Sequence, residues 1–434
     1  MHSEPPLMPG VWKHPRHRGK WEFANPESWE RLAPILERGR FDALFLADIL
    51  APYDQYEGSA NAAIRYGVQF PVHDPSVLVP IVARVTRHLG IGLTVSTSFD
   101  HPYQMARRLS SLDHITGGRL AWNVVTSFQS SAFQAMGEEA LVPANERYER
   151  ANEYVELCYK LWDSWEPDAV ITDQGRDTYI DPARVQVVEH AGKFFRMKGT
   201  SMVAPSPQRR PVIWQAGSSA PGRDFAAKHA EAVFCHQANI QSIGEYAKDV
   251  RDRAADHGRN PERLRIFNAC EVIVAATTRE AEEVRESLAA HVSVEGALAL
   301  LSGHIGFDLA QLDLDTPIAE VDGTGVRAAL DRILDASQDF KVRTWRDAAQ
   351  WYALSSGAGP VIVGNPTEVT DQIEALVDET GIDGLMLSPT YLPESLAEFV
   401  DLVVPELQRR GRARLEYGAG TLRDTLLESS ASGR

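Results

Sequence analysis

Short apolar runs alternate with amphipathic segments along almost the whole chain. Apolar residues recur three and four positions apart in segments such as PESWERLAPILERGR (26–40) and ERYERANEYVELCYKLWDSW (146–165), which predicts helices. The alternation of strand and helix predicts a parallel β-sheet covered by helices. Seven runs are predicted to be buried strands: FDALFLAD (41–48), LGIGLTVST (89–97), RLAWNVVTS (119–127), PVIWQAG (211–217), EAVFCHQ (231–237), LRIFNACEVIVA (264–275) and DGLMLSP (383–389).

Such a sheet either stays open or closes into a barrel of eight strands. The segment PPLMPGVW (5–12) is expected to supply the eighth strand. No GxGxxG turn follows an early strand, which disfavours an open dinucleotide-binding sheet. The prediction is an α/β fold, a (β/α)8 TIM barrel, in which residues 1–434 form a single domain. Insertions over the C-terminal mouth are expected at about 165–210 and 303–345, because these stretches are too long for ordinary connections.

Composition narrows the possible partners. The formal net charge of −16 over 434 residues would repel nucleic acid and anionic lipid, so neither is expected as a partner. No run of 18 apolar residues predicts a membrane-spanning helix. Cys158, Cys235 and Cys270 are far apart in apolar surroundings, which is typical of reduced cysteines and favours a cytoplasmic protein.

Polar residues interrupt the strands at their C-terminal ends, where barrel enzymes carry their active sites. Asp48 ends the first predicted strand, Thr94 lies in the second, and Asn123 lies in the third. Each has a structural alternative: Asp48 as a helix N-cap, Thr94 as an ordinary β-former, and Asn123 as an amide that satisfies loop backbone. Their recurrence on several strands favours a shared pocket.

The stretch QAGSSAPGRDF follows the fourth predicted strand and begins a helix. Gly217, Ser218 and Ser219 would present backbone N–H groups and hydroxyls to a phosphate at that helix start. The alternative is structural: a tight connection between strand and helix also requires small residues at these positions. His304, in LSGHIGFD, is placed in the second insertion as a mobile acid or hydrogen-bond donor, with a solvated loop histidine as the alternative.

Metal binding and nucleophilic hydrolysis find little support. His14 and His17 lie in a Pro/Arg-rich stretch that fixes no ligand geometry, and no HExxH or second ligand pair is found. A GxSxG elbow and a catalytic cysteine context are also absent from the sequence. No metal is expected.

Taken together, these motifs resemble the bacterial-luciferase-like flavin monooxygenases. Within them the chain is similar to the subgroup of nitrilotriacetate, dibenzothiophene-sulfone and long-chain alkane monooxygenases. The resemblance extends from about residue 11 to 425, and its most specific run is SLDHITGGRLAWNVVTS (111–127). One departure is Ala144, where the family often carries a histidine.

This resemblance implies a barrel that binds reduced FMN, with O2 as co-substrate and a separate NAD(P)H:FMN reductase as functional partner, in a homodimer or homotetramer. Asp48 and Thr94 would approach the isoalloxazine, and Asn123 would bond its polar edge. The phosphate and ribityl chain would be bound by Gly217, Ser218, Ser219 and Tyr148. The substrate pocket would be formed by Phe45, Phe234 and His304, and the catalytic residues would be His304, Asn123 and Thr94.

The function predicted on this basis is the oxygenase component of a two-component FMN-dependent monooxygenase. Its substrate would be a small or medium organic molecule, oxygenated at or next to nitrogen or sulfur. Two alternatives stay open: a deazaflavin-dependent hydride-transfer oxidoreductase on the same fold, and a non-catalytic flavin-binding protein.

Overall fold

A computed structural model describes residues 8–17, 25–315, 317, 343–355, 357 and 359–428. The strands are β1 Ala43–Leu46, β2 Gly90–Ser96, β3 Leu120–Val125, β4 Val170–Asp173, β5 Thr178–Ile180, β6 Val188–Ala191, β7 Arg196–Gly199, β8 Val212–Gln215, β9 Ala232–Cys235, β10 Arg265–Val274, β11 Val361–Gly364 and β12 Gly384–Ser388. Eight of them form one parallel sheet, hydrogen-bonded in the order β1-β2-β3-β8-β9-β10, with β11 and β12 both paired to β10. The other four form two antiparallel hairpins between β3 and β8.

Helices follow the strands and cover the outside of the sheet, as a (β/α)8 barrel requires. They are α1 Pro26–Arg38, α2 Asn61–Tyr66, α3 Val79–Val85, α4 Pro102–Thr116, α5 Ser130–Ala135, α6 Ala144–Trp162, α7 Ala220–His229, α8 Ile240–Asp256, α9 Thr278–His291, α10 Val294–Ile305, α11 Trp345–Leu354, α12 Pro366–Thr380, α13 Glu394–Glu398, α14 Val404–Arg409 and α15 Leu422–Glu428. A π-helical turn, Phe399–Val403, joins α13 to α14.

The seven strands predicted from the apolar runs are all present, but the eighth is elsewhere. The prediction of a strand at 5–12 is wrong for the described residues of that segment: Gly10 has a φ of 96°, and Val11–Lys13 form one 3-10 turn. The eighth strand is β11, Val361–Gly364, which pairs with the upper half of β10. The apolar run of β11, VIV (361–363), is bounded by Pro360 and Gly364 and is shorter than the runs from which the other strands were predicted.

Side chains alternate between the two faces of the sheet and create two different cores. Leu44, Leu93 and Trp122 point outward and pack against the helices. Phe45, Trp214 and similar side chains point inward and fill the barrel. Gly92 leaves space for the indole of Trp214, since a Cβ at Gly92 would lie 2.1 Å from a ring carbon. The interior is therefore packed rather than open.

The first expected insertion, 165–210, contains the two hairpins β4–β5 and β6–β7. The second, 303–345, begins inside helix α10, and residues 316 and 318–342 lie outside the described residues. Among described residues no single helix is both long and apolar enough to cross a bilayer; α9 and α10 pass that test only when joined across their 83° bend.

Candidate active site

A cleft of about 400 Å³ opens at the C-terminal ends of β1, β2, β3 and β8. Asp48, Ser218 and Ser219, which the sequence predicted to converge, line this cleft. Thr94 and Asn123 do not line it; each lies two residues before a lining residue of its strand, Ser96 on β2 or Val125 on β3. The lining combines apolar and polar side chains: Asp48, Ile49, Leu50, Ser96, Val125, Thr126, Ser127, Phe128, Gln129, Ala144, Arg147, Tyr148, Gln215, Ala216, Gly217, Ser218 and Ser219.

Thr94 and Asn123 form a buried pair on neighbouring strands. They are direct partners in the β2–β3 ladder, and Asn123 Nδ2 donates to Thr94 Oγ1 at 3.0 Å. Asn123 is only 2% exposed, yet its Oδ1 accepts no hydrogen bond from any described residue. A buried carbonyl oxygen without a donor is costly, so this atom indicates a ligand that supplies an N–H or O–H group. Satisfaction of loop backbone does not explain Asn123.

The turn from β8 to α7 lies at the other end of the cleft. Ser219 is the N-cap of α7, where its Oγ accepts from the Gly222 N–H at 3.3 Å. A Cβ at Gly217 would lie 2.7 Å from the Cα of Gly222, so the turn closes only with glycine there. Both sequence interpretations are therefore compatible here: the connection is tight, and it also presents a helix N-terminus and two serines to the cleft.

Tyr148 and Arg147 close this end of the cleft from helix α6. Gln215 Nε2 donates to the Tyr148 hydroxyl at 3.4 Å, and burial raises the pKa of that phenol. Arg147 donates to the Ser127 carbonyl, while its Nε is buried and unpaired among the described residues. Ser127 has a φ of 50°, a strained conformation for a serine and one often found at functional sites.

Arg147 was not predicted from the sequence. It directly precedes Tyr148 in the ERY motif, and basic residues near serine-lined helix starts are a signal for anion binding. Burial lowers the pKa of the Arg147 guanidinium, and no carboxylate in the described structure pairs with it. The cleft thus combines a helix N-terminus with a desolvated cation, which suits a phosphate group.

Asp48 lies on the β1 side of the cleft. Burial, and to a lesser degree the charge of Asp74, raise the pKa of this carboxyl to about 7. The N-cap alternative is wrong, because the next helical turn starts only at Tyr56, with Gln55 at its N-cap position. An aspartate that is half protonated near neutral pH can donate as well as accept a hydrogen bond.

His304 lies in the last turn of helix α10, so its predicted position on a mobile loop is wrong. Both ring nitrogens are bonded: Nε2 is 2.8 Å from the Tyr53 hydroxyl and Nδ1 is 2.7 Å from the Tyr352 hydroxyl. Because Tyr53 donates its own proton to Gln69 Oε1 at 2.7 Å, it accepts from His304 Nε2–H. The result is one directed chain, Tyr352 to His304 to Tyr53 to Gln69.

Two histidines at the mouth are held neutral. Desolvation by the surrounding protein lowers the pKa of His304 to about 4, with a further contribution from His236, although part of the His304 side chain is exposed. Desolvation likewise lowers the pKa of His236 to about 4. His236 follows β9 directly and was not predicted from the sequence, although it sits at a strand end like the predicted residues. Neutral imidazoles can relay protons without adding charge to the site.

The two phenylalanines predicted for the substrate pocket lie deeper than the cleft. Phe45 and Phe234 meet edge to face with ring centroids 4.5 Å apart, and Phe45 stacks on Trp214 at 6.0 Å. All three are buried inside the barrel, where they form an aromatic floor. Trp214 is the β8 ladder partner of Asn123, so this floor begins next to the Thr94–Asn123 pair.

Comparison with known proteins identifies the class to which this fold and cleft belong. Residues 11–384 match the model of the family described as luciferase-like monooxygenase, and the chain belongs to that family. It is 40% identical over 419 residues to dimethyl-sulfide monooxygenase of Hyphomicrobium sulfonivorans, covering 96% of this chain and 87% of that protein. It is 37% identical over 429 residues to nitrilotriacetate monooxygenase component A of Aminobacter aminovorans, covering 94% and 93%.

Among solved structures, the crystal structure of a long-chain alkane monooxygenase, LadA, superposes with a TM-score of 0.88 at 41% identity, covering 97% of this chain and 92% of that one. The predicted family and barrel are thereby confirmed. The chain is a flavin-dependent monooxygenase that uses reduced FMN and O2 as the oxygenase component of a two-component system. The relatives support neither the hydride-transfer alternative nor the non-catalytic one.

Proposed function

We propose that this oxygenase binds reduced FMN along the cleft and acts on an uncharged organic substrate. The carrying observation has two parts: Asn123 Oδ1 is buried without a partner among the described residues, two residues before the lining residue Val125 on β3, and the cleft presents Ser218, Ser219 and Arg147. An isoalloxazine ring offers N–H donors and the phosphate of FMN offers anionic acceptors. One elongated cofactor would thus satisfy both Asn123 Oδ1 and the cation at the phosphate end of the cleft.

Each end of the cleft has its own role in this proposal. Asp48 and Thr94 lie against the ring, and Asn123 accepts a hydrogen bond from its polar edge. Gly217 lets the backbone approach the phosphate closely. The remaining contacts to the phosphate and ribityl chain come from Tyr148, Arg147, Ser218 and Ser219. Arg147 supplies the positive charge at this end of the cleft, beside the uncharged Ala144.

Reduced FMN supplies the activation of O2, and the protein supplies position and dryness. The aromatic floor of Phe45, Phe234 and Trp214 excludes water from below. His304 holds a proton on Nε2 and is fixed between two tyrosine hydroxyls. We assign to it the orientation of substrate and, when a substrate takes the place of Tyr53 at Nε2, the delivery of a proton that Tyr352 replaces through Nδ1.

The charge of the cleft selects the substrate class. Asp48 and Arg147 are the charged side chains of the lining. With Arg147 assigned to the cofactor phosphate, the lining has no cation left for a carboxylate substrate. The apolar rim of Ile49, Leu50 and Phe128 suits a small or medium neutral molecule, and we propose oxygenation at or next to sulfur or nitrogen.

Three further assignments complete the proposal. A separate NAD(P)H:FMN reductase delivers the reduced flavin, in line with the relative from Aminobacter, whose name makes it component A of its monooxygenase. The protein acts in the cytoplasm, where its free and buried Cys158, Cys235 and Cys270 stay reduced. It assembles as a homodimer or homotetramer, which light scattering of the purified protein would measure.

The test is rapid mixing of the protein–FMNH2 complex with O2, using dimethyl sulfide as the uncharged probe and nitrilotriacetate as the charged one. Formation of oxygenated product with dimethyl sulfide, and none with nitrilotriacetate, is expected. Turnover of nitrilotriacetate would contradict the assignment of Arg147 to the phosphate. Oxidation of FMNH2 at the rate seen without protein would contradict the proposed cofactor site.

A further inference from the structure

A partly open, mostly apolar space lies where the first and last strands of the barrel meet. In the described part of the chain, β1 is hydrogen-bonded to β2 and β12 to β10, and no ladder joins β1 to β12. The void at this seam has a volume of about 90 Å³. We call it the seam void, and it is separate from the cleft at the mouth.

The lining shows that the seam void crosses the sheet. Leu44 and Leu385 face the helices, whereas Phe45 and Met386 face the barrel interior, and all four line the void. A space lined from both faces of a sheet lies between its strands rather than on one side of it. Leu385 and Ala43 are only half-buried although they belong to strands of the barrel, because the void leaves part of their surface accessible.

The chemistry of the lining is almost entirely apolar. Asp42, at the start of the seam, is the charged residue of the lining, and the remainder is aliphatic or aromatic. Apolar walls of this kind bind small apolar species such as xenon. O2 has the same preference for an apolar environment over water.

On the barrel side, the aromatic floor lines the void and separates it from the cleft. Phe45, Phe234 and Trp214 line it there, and Trp214 is the ladder partner of Asn123. We propose that the seam void is a binding site for O2 on its way from the helical layer to reduced FMN. This inference rests on the proposed function, which places the isoalloxazine ring against Asn123.

Xenon is the probe for the void, and it reports on the site without turnover. Crystals pressurised with xenon should show it in the seam void of the unaltered protein. Leu385→Phe narrows the void from the helical side and Ala43→Leu narrows it from the barrel side; both should abolish xenon binding. Leu402→Phe is the matched control, because this half-buried leucine packs near the same strands outside the lining.

Stopped-flow mixing with O2 then tests the route. In both narrowed variants the bound FMNH2 should react with O2 several-fold more slowly, with an unchanged FMNH2 dissociation constant, whereas Leu402→Phe should match the unaltered protein. Absence of xenon from the void, or an undiminished O2 rate in a variant that has lost xenon, overturns the inference. Failure of the unaltered protein to bind FMNH2 would instead contradict the proposed function. Xenon binding would still be interpretable in that case, because it is measured without flavin.

Discussion

At the scale of single residues, the site is marked by polar atoms that the protein leaves unsatisfied. Asn123 Oδ1 and Arg147 Nε are buried without a partner among the described residues, although each belongs to a side chain bonded through another atom. Folding alone would disfavour both, since an unmatched buried polar group costs about 1–3 kcal/mol. Such positions are stable when a ligand completes them.

Replacement of Asn123 by alanine tests this view. The variant loses an acceptor for the ring, and we expect the dissociation constant of FMNH2 to rise about tenfold, equivalent to about 1.4 kcal/mol. Anaerobic titration followed by flavin fluorescence measures it. Asn25→Ala is the control, because Asn25 caps helix α1 far from the cleft. Equal affinity in the Asn123 and Asn25 variants would remove Asn123 from the site.

At the scale of elements, glycines and caps decide how closely strands and helices approach. The interior of the barrel accepts the indole of Trp214 because Gly92 on β2 has no side chain. The β8–α7 turn depends in the same way on the contact between Gly217 and Gly222. The sequence shows a glycine at position 92, but it does not show that Trp214, a distant residue along the chain, packs against it.

Gly92→Ala should therefore lower the free energy of unfolding by about 1–3 kcal/mol, since the added methyl group collides with a buried ring. Gly244→Ala is a matched control inside helix α8, where the nearest atom outside the helix is 3.9 Å from the added Cβ. That substitution should stabilise the protein by up to about 1 kcal/mol. Urea denaturation measures both, and equal effects would show that Trp214 can move aside.

At the scale of the whole molecule, desolvation keeps several histidines uncharged. The His229 ring lies between Asn152 Oδ1, at 2.8 Å from Nε2, and the Tyr159 hydroxyl, and burial lowers its pKa to about 3. The pKa values of His236 and His304 are shifted in the same direction. These histidines take up protons near pH 6.5 in the unfolded chain and only near pH 3 to 4 in the folded protein, so stability falls as the pH drops through this window.

For His229 the loss at pH 5 is about 2 kcal/mol relative to pH 7, calculated from an unfolded pKa near 6.5. His229→Gln removes this titration while keeping a hydrogen-bonding side chain. The variant should thus lose about 2 kcal/mol less than the unaltered protein between pH 7 and pH 5 in urea denaturation. An identical pH dependence of both proteins would show that His229 takes up its proton at the same pH in the folded protein as in the unfolded chain.

The sequence by itself determined the parts of this protein that depend on local pattern. Seven strands, the helices at 26–40 and 146–165 and the polar strand ends follow from periodicity, because neighbouring residues alone set which face of a strand or helix is apolar. The family resemblance rested on the same local runs. Asp48, Thr94 and Asn123 are therefore identifiable as site candidates from the amino-acid sequence.

Only the tertiary structure decided what depends on distant contacts. It replaced the expected N-terminal strand with β11, and it placed His304 on a helix between Tyr53 and Tyr352, which lie far from it and from each other along the chain. It also added Arg147 and His236 to the site, and opened the void at the β1–β12 seam. These features depend on contacts between residues far apart in the sequence, which barrel formation brings together. The hydrophobic periodicity of a local segment does not predict such contacts.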